Sequence, residues 1–208
     1  MSTAETLSRK TGARLRLLDA GMQLLRERGY DATRVEDLCA AAGVTKGAFF
    51  HHFESKSAFG AAAARHWTDT TAPMFAAADY HSADDPLTRV LGYVKLRRDL
   101  IAGGIAEFSC VAGTMAQQVF LTQPAVRDAC GASIGGHAET LEADFAAAIA
   151  AHGLGDRVDA RSLALHTQAV LQGGYVVAKA LDDASAAVAS VDHLRAYLLL
   201  LFGKEEVQ

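Results

Sequence analysis

The sequence predicts an all-α protein of about nine helices, in which a three-helix N-terminal head precedes a helical bundle. Half of the 208 residues are apolar and only 7% are aromatic, and the abundance of alanine favours closely packed helices over sheets. Apolar residues recur at helical spacing through most of the chain, and no run reads convincingly as a strand. Of the three prolines, Pro86 and Pro124 stand where a helix can begin.

The first helix is predicted from about Thr11 to Arg28, after an arm formed by residues 1–10. Its apolar stripe has the spacing of one buried helix face and consists of Leu15, Leu18, Met22 and Leu25. Gly29 follows this stripe, and glycine is the residue that most readily ends a helix. The first helix is therefore expected to stop there.

Two short helices that meet at a glycine complete the head. Thr33 and Glu36 have the spacing of a capping box that opens the first of them, and Gly43 is placed to end it in a left-handed turn. Thr45 is placed to cap the next helix through its hydroxyl, which is expected over about Lys46 to His52. A helix pair joined by such a turn is the helix-turn-helix unit, whose second helix enters the major groove of DNA.

Six further helices are expected beyond the head. Ser55 is placed to cap the fourth helix, and Pro73 is expected to end or kink any extension of it. Asp85 and Pro86 read as the cap and first residue of the next helix. The helical ranges are about 56–69, 86–102, 106–121, 124–152, 160–181 and 191–202.

The charge is distributed unevenly along the chain. The net charge is −4, which argues against a protein that binds DNA through charge alone. Through Ser57 there are nine Lys or Arg and seven Asp or Glu, a balance of +2, and the remainder holds eleven against seventeen, a balance of −6. The N-terminal end is therefore relatively basic, as expected for the part that meets phosphates.

The cysteines and the N-terminus indicate a cytoplasmic protein. Cys39, Cys110 and Cys130 form no CxxC pair, and an odd number of cysteines without a secretory signal suits a reducing compartment. No stretch approaches the roughly 20 apolar residues that cross a bilayer, so no membrane association is expected. Cysteine and histidine do not cluster as metal ligands do, and neither a metal nor a cofactor is expected.

The helix-turn-helix segment resembles the TetR/AcrR family of bacterial transcriptional regulators. The resemblance covers about the first quarter of the chain, and it rests on Ala40, Ala42, Gly43, Val44, Thr45, Gly47, Phe49, His52, Phe53 and Lys56. Thr45 replaces the commoner serine, and Phe59 replaces leucine. Phe50 stands where the family usually has tyrosine, so a phenol that often contacts a phosphate is missing.

The resemblance implies a repressor that a small-molecule effector releases from a palindromic operator. It implies a DNA-binding domain over residues 1–56 and an effector-binding and dimerisation domain over residues 57–208. It also implies a homodimer formed by the last two helices, where apolar residues such as Leu198, Leu201, Val170 and Val177 support such a bundle.

The residues expected to face DNA lie mostly on the second helix of the motif. Because a helix N-terminus favours anions, Thr45 and Lys46 suit contacts with phosphates or base edges. By resemblance, His52 and Lys56 are expected to clamp phosphates. The complete predicted set is Thr33, Arg34, Thr45, Lys46, Gly47, Phe49, Phe50, His51, His52 and Lys56. Phe53 is expected in the core instead.

The middle helices carry a mixture of polar and aromatic residues that suits a ligand pocket. The predicted effector-binding residues are Tyr93, Arg97, Phe108, Cys110, Gln117, His137, His166 and Tyr175. The glycine pairs at 135–136 and 173–174 either leave space for a ligand or permit close helix contact, and the sequence leaves both open.

Cys110 admits three interpretations: a packed thiol, a neighbour of the pocket, or a redox and electrophile sensor on the same scaffold. A helical enzyme or carrier is a further alternative. The chain has no HExxH, GxSxG, P-loop or GxGxxG motif, so a non-enzymatic regulator is the prediction.

Overall fold

The computed structural model describes residues 3–204, with the backbone alone given for residues 3–11 and 156. The regular secondary structure of this part of the chain is entirely helical, and it contains no strand. It has ten α-helices and two 3-10 turns, the latter at Asp79–Ser82 and Gly155–Arg157. The α-helices are α1 Thr3–Ala32, α2 Val35–Ala42, α3 Lys46–His52, α4 Lys56–Ala76, α5 Pro86–Asp99, α6 Ile105–Phe108, α7 Val111–Val119, α8 Pro124–Ala151, α9 Ala160–Leu181 and α10 Ala184–Leu201.

The chain divides into two compact units that alternate along the sequence. The first unit contains the residues up to Thr71 together with Ser109–Ser133, and the second contains Ala72–Phe108 and the residues from Ile134 onward. Helices α4 and α8 therefore contribute residues to both units. The functional division after residue 56 stays a prediction, because compact packing does not by itself assign functions.

The core of the first unit is built around three phenylalanine rings. Phe49, Phe53 and Phe59 are buried, and their ring centroids lie 5.2–5.7 Å apart. Burial of each ring is favourable by about 1.5–3 kcal/mol, and an aromatic pair adds about 0.5–1.5 kcal/mol. These rings hold α3 against the first turn of α4, as expected for Phe53.

The turn between α2 and α3 has the predicted geometry. Gly43 adopts the left-handed conformation with φ 62° and ψ 43°, and the N–H of Val44 donates to the carbonyl of Cys39 over 3.0 Å. The Thr45 hydroxyl accepts a hydrogen bond from the N–H of Ala48 over 3.1 Å. Helix α3 therefore begins at Lys46 and ends at His52, as the sequence predicts.

The expected capping box at Thr33 and Glu36 is wrong. Helix α2 begins one residue later, and the Asp37 carboxylate accepts from the N–H of Arg34 over 2.9 Å. Thr33 is 1% exposed, and its hydroxyl donates to the carbonyl of Gly29 over 2.7 Å. Thr33 therefore closes the end of α1, because that buried carbonyl requires a donor.

Helix α1 is longer than expected and is interrupted at Gly29. It begins at Thr3, so the part of the expected arm from residue 3 onward is helical, while residues 1 and 2 lie outside the described residues. Gly29 has φ 81° and ψ 175°, a conformation open essentially to glycine alone. Just after this break, the Gln118 side-chain oxygen accepts from the N–H of Tyr30 over 2.5 Å. The end of α1 is thus held by α7.

Several other boundaries differ from the expectation. The predicted helix 106–121 is split into α6 and α7, because Cys110 is extended with φ −79° and ψ 125°. Helix α5 ends at Asp99, and α10 begins at Ala184, where the Asp183 carboxylate accepts from the N–H of Ser185 over 2.8 Å. Helix α4 continues through Pro73 to Ala76, because the missing N–H falls in the last turn and costs one bond near the helix end.

In the second unit, α9 and α10 pack closely together. A Cβ atom at Gly174 would lie 3.2 Å from Cβ of Ser190, so glycine permits the close approach. Ion pairs connect α5 to both neighbours, with Arg98 2.6 Å from Asp192 on α10 and Arg89 2.6 Å from Asp144 on α8. These contacts orient α5, which carries Tyr93 and Arg97.

Helix α10 is the single helix of the described residues that is long and apolar enough, by length and composition, to cross a bilayer. Its buried residues pack inside the second unit, and they are Ala187, Val191, Leu194, Leu198 and Leu199. A helix at the core of a bundle satisfies the same criteria, so this feature is weak evidence for a membrane.

Replacing Gly29 with alanine is predicted to destabilise the first unit. The new Cβ would clash with the Gln118 side chain at a positive φ, and strain of this kind costs about 1–3 kcal/mol. Urea unfolding measures the loss. Gly131→Ala is the control, because Gly131 lies inside α8 with no atom within 4 Å of the added Cβ, and alanine there should be neutral or stabilising by up to about 1 kcal/mol. Equal stabilities of the two variants would contradict the prediction.

Candidate functional site

The exposed face of α3 carries charged, small and aromatic residues side by side. Lys46, Gly47, Phe50 and His51 are exposed at one-turn spacing. Phe49, which the sequence placed among the DNA contacts, is fully buried against the rings of the core. Its assignment as a contact is therefore wrong, and the buried Thr33 fails for the same reason. The helix is too short for its apolar spacing to separate a core ring from a surface ring.

Lys46 at the start of α3 pairs with Glu36 on α2. The ammonium lies 2.6 Å from the Glu36 carboxylate, and both side chains are 60% exposed. Their hydrogen bond raises the pKa of Lys46 and lowers the pKa of Glu36. A solvated pair of this kind is weak, so a phosphate that approaches the helix N-terminus can compete with Glu36 for the lysine. Thr45 and Arg34 are exposed beside it.

Phe50 presents an exposed aromatic ring without the hydroxyl group that a tyrosine would carry at this position. The side chain is 48% exposed, and its ring stands edge-on to Phe49 with the centroids 5.3 Å apart. The neighbouring His51 ring lies 5.1 Å from that of His52, which is partly exposed. The end of α3 therefore offers imidazoles and an apolar ring to whatever binds this face.

Lys56 contacts the end of α1. Its ammonium donates to the carbonyl of Asp31 over 3.3 Å and lies 4.4 Å from the centre of the Tyr30 ring. Partial burial lowers the pKa of Lys56. This lysine thus has a structural contact within the head, and its expected phosphate contact stays a prediction.

Four of the expected effector residues meet in one hydrogen-bonded network in the second unit. Arg97 donates to the phenol oxygens of Tyr93 over 3.2 Å and of Tyr175 over 2.9 Å. The Tyr93 phenol also lies 2.9 Å from Nε2 of His137 and accepts from the Gln168 amide over 3.0 Å. We call these five residues the Arg97 cluster. They bring together side chains from α5, α8 and α9.

The hydrogen-bond partners of Tyr93 determine which atoms of the Arg97 cluster carry the protons. The Tyr93 oxygen accepts from Arg97 and Gln168, so its own O–H is left to donate to Nε2 of His137. Burial, followed by the charge of Arg97, lowers the pKa of His137 to about 4. Burial raises the pKa of Tyr93. At neutral pH the imidazole and this phenol are therefore uncharged, and Arg97 carries the positive charge.

Aromatic rings surround the Arg97 cluster. The Phe75 ring lies 4.5 Å from that of His137, and the Arg97 guanidinium lies 5.3 Å from its centre. The Phe108 ring lies 5.7 Å from that of Tyr175. Phe75 was not among the expected effector residues, and it lies beyond Pro73, where an extension of α4 was expected to end or kink. Gln168 was not among them either, although it lies seven residues before Tyr175 and thus on the same helix face.

Of the other expected effector residues, Gln117, Cys110 and His166 make contacts outside the Arg97 cluster. Gln117 is exposed, and its amide donates to the carbonyl of Gly113 on its own helix over 3.1 Å. His166 is exposed and packs against Tyr197 of α10, with the ring centroids 5.4 Å apart. Gln117 and Cys110 belong to the first unit.

Cys110 is the half-exposed thiol of the three. It caps α7, and its sulfur accepts from the N–H of Gly113 over 3.4 Å. Cys39 and Cys130 are buried, and burial raises the pKa of both thiols, that of Cys130 to about 12. Position and exposure make Cys110 the thiol best placed to react, and its role as a sensor stays a prediction.

Comparison with protein families finds matches over both parts of the chain. Residues 17–63 match the family model of bacterial regulatory proteins of the tetR family. Residues 86–194, more than half of the chain, match the model of the tetracyclin repressor-like C-terminal domain.

Similar curated proteins match mainly at the N-terminal end. The HTH-type transcriptional repressor DhaR of a Mycobacterium species is 51% identical over 51 residues, which are 24% of this chain and 26% of DhaR. The transcriptional regulator AcuR of Cereibacter sphaeroides is 28% identical over 103 residues, 50% of this chain and 47% of AcuR. The chain thus spans about a quarter and about half of these relatives in the matched regions.

Similarity to solved structures extends over almost the whole chain. The regulatory protein TetR from Rhodobacter sphaeroides superposes with a TM-score of 0.78 at 23% identity, covering 89% of this chain and 98% of that chain. At this level of identity the likeness establishes the fold alone, and the fold agrees with the all-α prediction.

The neutral His137 is predicted to make stability depend on pH. Its pKa is about 4 in the folded chain and 6.5 ordinarily, so the unfolded chain binds the proton at a higher pH. The contribution of the neutral His137 imidazole to the free energy of unfolding is complete above pH 6.5 and is lost as the pH falls toward 4. Between pH 7 and pH 5 the loss amounts to about 2 kcal/mol in the free energy of unfolding.

The experiment is urea unfolding at both pH values. His137→Gln keeps a hydrogen-bond acceptor for Tyr93 without the basic nitrogen. Between pH 7 and pH 5, its free energy of unfolding should fall by about 2 kcal/mol less than that of the unmodified chain. His193→Gln on exposed α10 surface is the control, and it should keep the pH dependence of the unmodified chain. The assignment to His137 fails if His137→Gln keeps that dependence as well.

Proposed function

The chain belongs to the TetR family of bacterial regulatory proteins, and from this we propose that it is a transcriptional repressor whose α3 reads an operator. The observation that carries the proposal is the exposed face of α3 behind a glycine turn. Lys46, Gly47, Phe50 and His51 share that face. The helix N-terminus and Lys46 favour an anion there. Thr45, Arg34, His52 and Lys56 complete the proposed contacts.

We propose a homodimer formed by α9 and α10. Leu198, expected at the interface, is instead fully buried within its own chain, whereas Leu200 is 78% exposed. The exposed apolar side chains of this helix pair are Leu165, Val176, Val177, Leu181, Tyr197 and Leu200. Several exposed apolar side chains on one pair of packed helices favour a protein interface there. Two heads would then bind half-sites about 34–36 Å, or a multiple of it, apart.

The Arg97 cluster is the proposed effector site. An effector that binds more tightly to a dimer state with a different head spacing shifts the population away from the DNA-binding state. The second candidate is a redox or electrophile response at Cys110, favoured by its half-exposed thiol at the start of α7. Both act through the same DNA-binding head, in the cytoplasm where the operator is found.

The purified protein is predicted to select a pseudo-palindromic sequence from fragmented genomic DNA. Lys46→Ala should weaken binding and lower the slope of log affinity against log salt by about one unit, because one phosphate contact is lost. Fluorescence anisotropy with the selected operator, titrated with salt, measures both quantities.

Lys95→Ala is the matched control for this experiment. Lys95 is an exposed lysine of α5 that pairs with Asp99 over 2.5 Å. Lys95→Ala therefore removes the same charge from a helix outside the head. Its salt slope should equal that of the unmodified chain. An unchanged slope in Lys46→Ala would remove Lys46 from the contacts, and a failure to enrich any sequence would refute the proposed function.

Leu200→Asp is predicted to weaken the dimer. A carboxylate in an apolar interface loses its hydration without a partner, so the dimer dissociation constant should rise at least about tenfold. Sedimentation velocity over a concentration series measures it. Leu121→Asp is the control, because Leu121 is also 78% exposed but follows α7 in the first unit. If the two variants dimerise equally well, α10 does not form the interface.

A further inference from the structure

The ring of Phe50 lies near the middle of the exposed face of α3. Successive residues of an α-helix are turned by about 100° around its axis, so the exposed residues of α3 span an arc of about 140°. In order around the helix they are Lys46, Phe50, Gly47 and His51. A surface that receives this face is therefore expected to contact the Phe50 ring and the backbone at Gly47.

The core supports the Phe50 ring from below and leaves the surface beside it open. Phe50 is 48% exposed, and its ring stands edge-on to the buried Phe49 at an interplanar angle of 84°. Among the described residues, a Cβ at Gly47 would meet only the Thr45 hydroxyl oxygen within 4 Å, at 3.8 Å. Because glycine has no side chain there, the backbone of α3 can approach another molecule closely beside the ring.

The chemistry of a phenyl ring limits what Phe50 can recognise in a major groove. The ring has no hydrogen-bond donor or acceptor group, so it does not form the hydrogen bonds by which polar side chains hold phosphates and base edges. Among the groups that base pairs present in the major groove, the C5-methyl group of thymine is the apolar one. Contact with that methyl group would also remove part of the exposed ring from water, which is favourable. Phe50 therefore suits thymine better than the other three bases.

We propose, on the basis of the proposed function above, that Phe50 is a specificity-determining residue that contacts the methyl group of one thymine in each half-site. Lys46 and His51, at the edges of the same face, supply polar contacts with phosphates or base edges. Phe50 supplies the apolar contact between them. The operator therefore contains a thymine that faces the middle of α3 in each half-site.

Replacement of thymine by uracil tests the proposal, because it removes the methyl group and keeps the O4 acceptor in the groove. Each thymine of the operator selected from genomic DNA is replaced in turn, at the same position of both half-sites, and the Kd is measured by fluorescence anisotropy at constant ionic strength. At one position we expect the Kd to rise about tenfold, since each of the two buried methyl groups contributes about threefold to fivefold.

Variants of two exposed phenylalanines assign the methyl contact to its side chain. In Phe50→Ala, the Kd values for the uracil and thymine operators should agree within about twofold at that position, because the ring that senses the methyl group is gone. Phe120→Ala is the matched control, since Phe120 is 55% exposed in the same unit but follows α7, and it should keep both the Kd and the tenfold ratio of the unmodified chain. If Phe50→Ala binds too weakly, Phe50→Leu keeps an apolar side chain and should keep a ratio of at least about threefold.

A second probe separates this proposal from the proposed function. Short duplexes of alternating A·T or alternating A·U pairs need no operator, and the unmodified chain should bind the A·T duplex about threefold more tightly than the A·U duplex. Phe50→Ala should bind the two duplexes equally. A chain that selects no operator but distinguishes these duplexes through Phe50 would refute the regulatory function and leave the methyl contact standing.

Two results would overturn the proposal. The first is an operator in which no replacement of thymine by uracil changes the Kd, or, where no operator is selected, equal Kd values for the two alternating duplexes. The second is an effect of uracil that Phe50→Ala retains in full, which would assign the methyl contact to another side chain. An operator bound without any dependence on methyl groups would leave the regulatory function standing.

Discussion

The burial of Phe49 is the constraint on which the exposed face of α3 depends. A helix of seven residues is not stable in water by itself, so α3 exists because the packing of its apolar side holds it. Phe49 supplies that packing together with Phe53 and Phe59. The exposed residues of α3 are thereby placed by a rigid core. The positions of the exposed side chains thus follow from the packing of a buried ring.

The second unit uses polar contacts for a comparable purpose. Tyr93 receives two hydrogen bonds and gives one, so it joins three helices with every polar atom satisfied. Networks of this kind specify a single arrangement because a partly satisfied alternative is costly.

Local signals in the sequence were sufficient for the turn and the second helix of the helix-turn-helix and for the bounds of α9. Gly43 and Thr45 form their turn and cap with residues close by in the sequence, so the bounds of α3 can be predicted from the sequence. The break at Cys110 and the burial of Phe49 depend on distant packing, which sequence spacing does not report. Tyr93 and Arg97 were visible as neighbours four residues apart, whereas their meeting with His137 and Gln168 required the tertiary fold. The Lys56 contact with Asp31 was hidden for the same reason.

The first unit consists of two separate segments of the chain, and this limits how the chain can be divided into fragments. Gln118 of α7 holds the end of α1 through the N–H of Tyr30, and α7 comes from the middle of the chain. A fragment that stops after α4 would lack that amide and would leave the packed face of α1 open to water. The head is thus not a transplantable module, and a chimaera that exchanges sensing domains between relatives must carry Ser109–Ser133 along with the head. Divergence of such a chain must therefore preserve α7 together with the end of α1 that it holds.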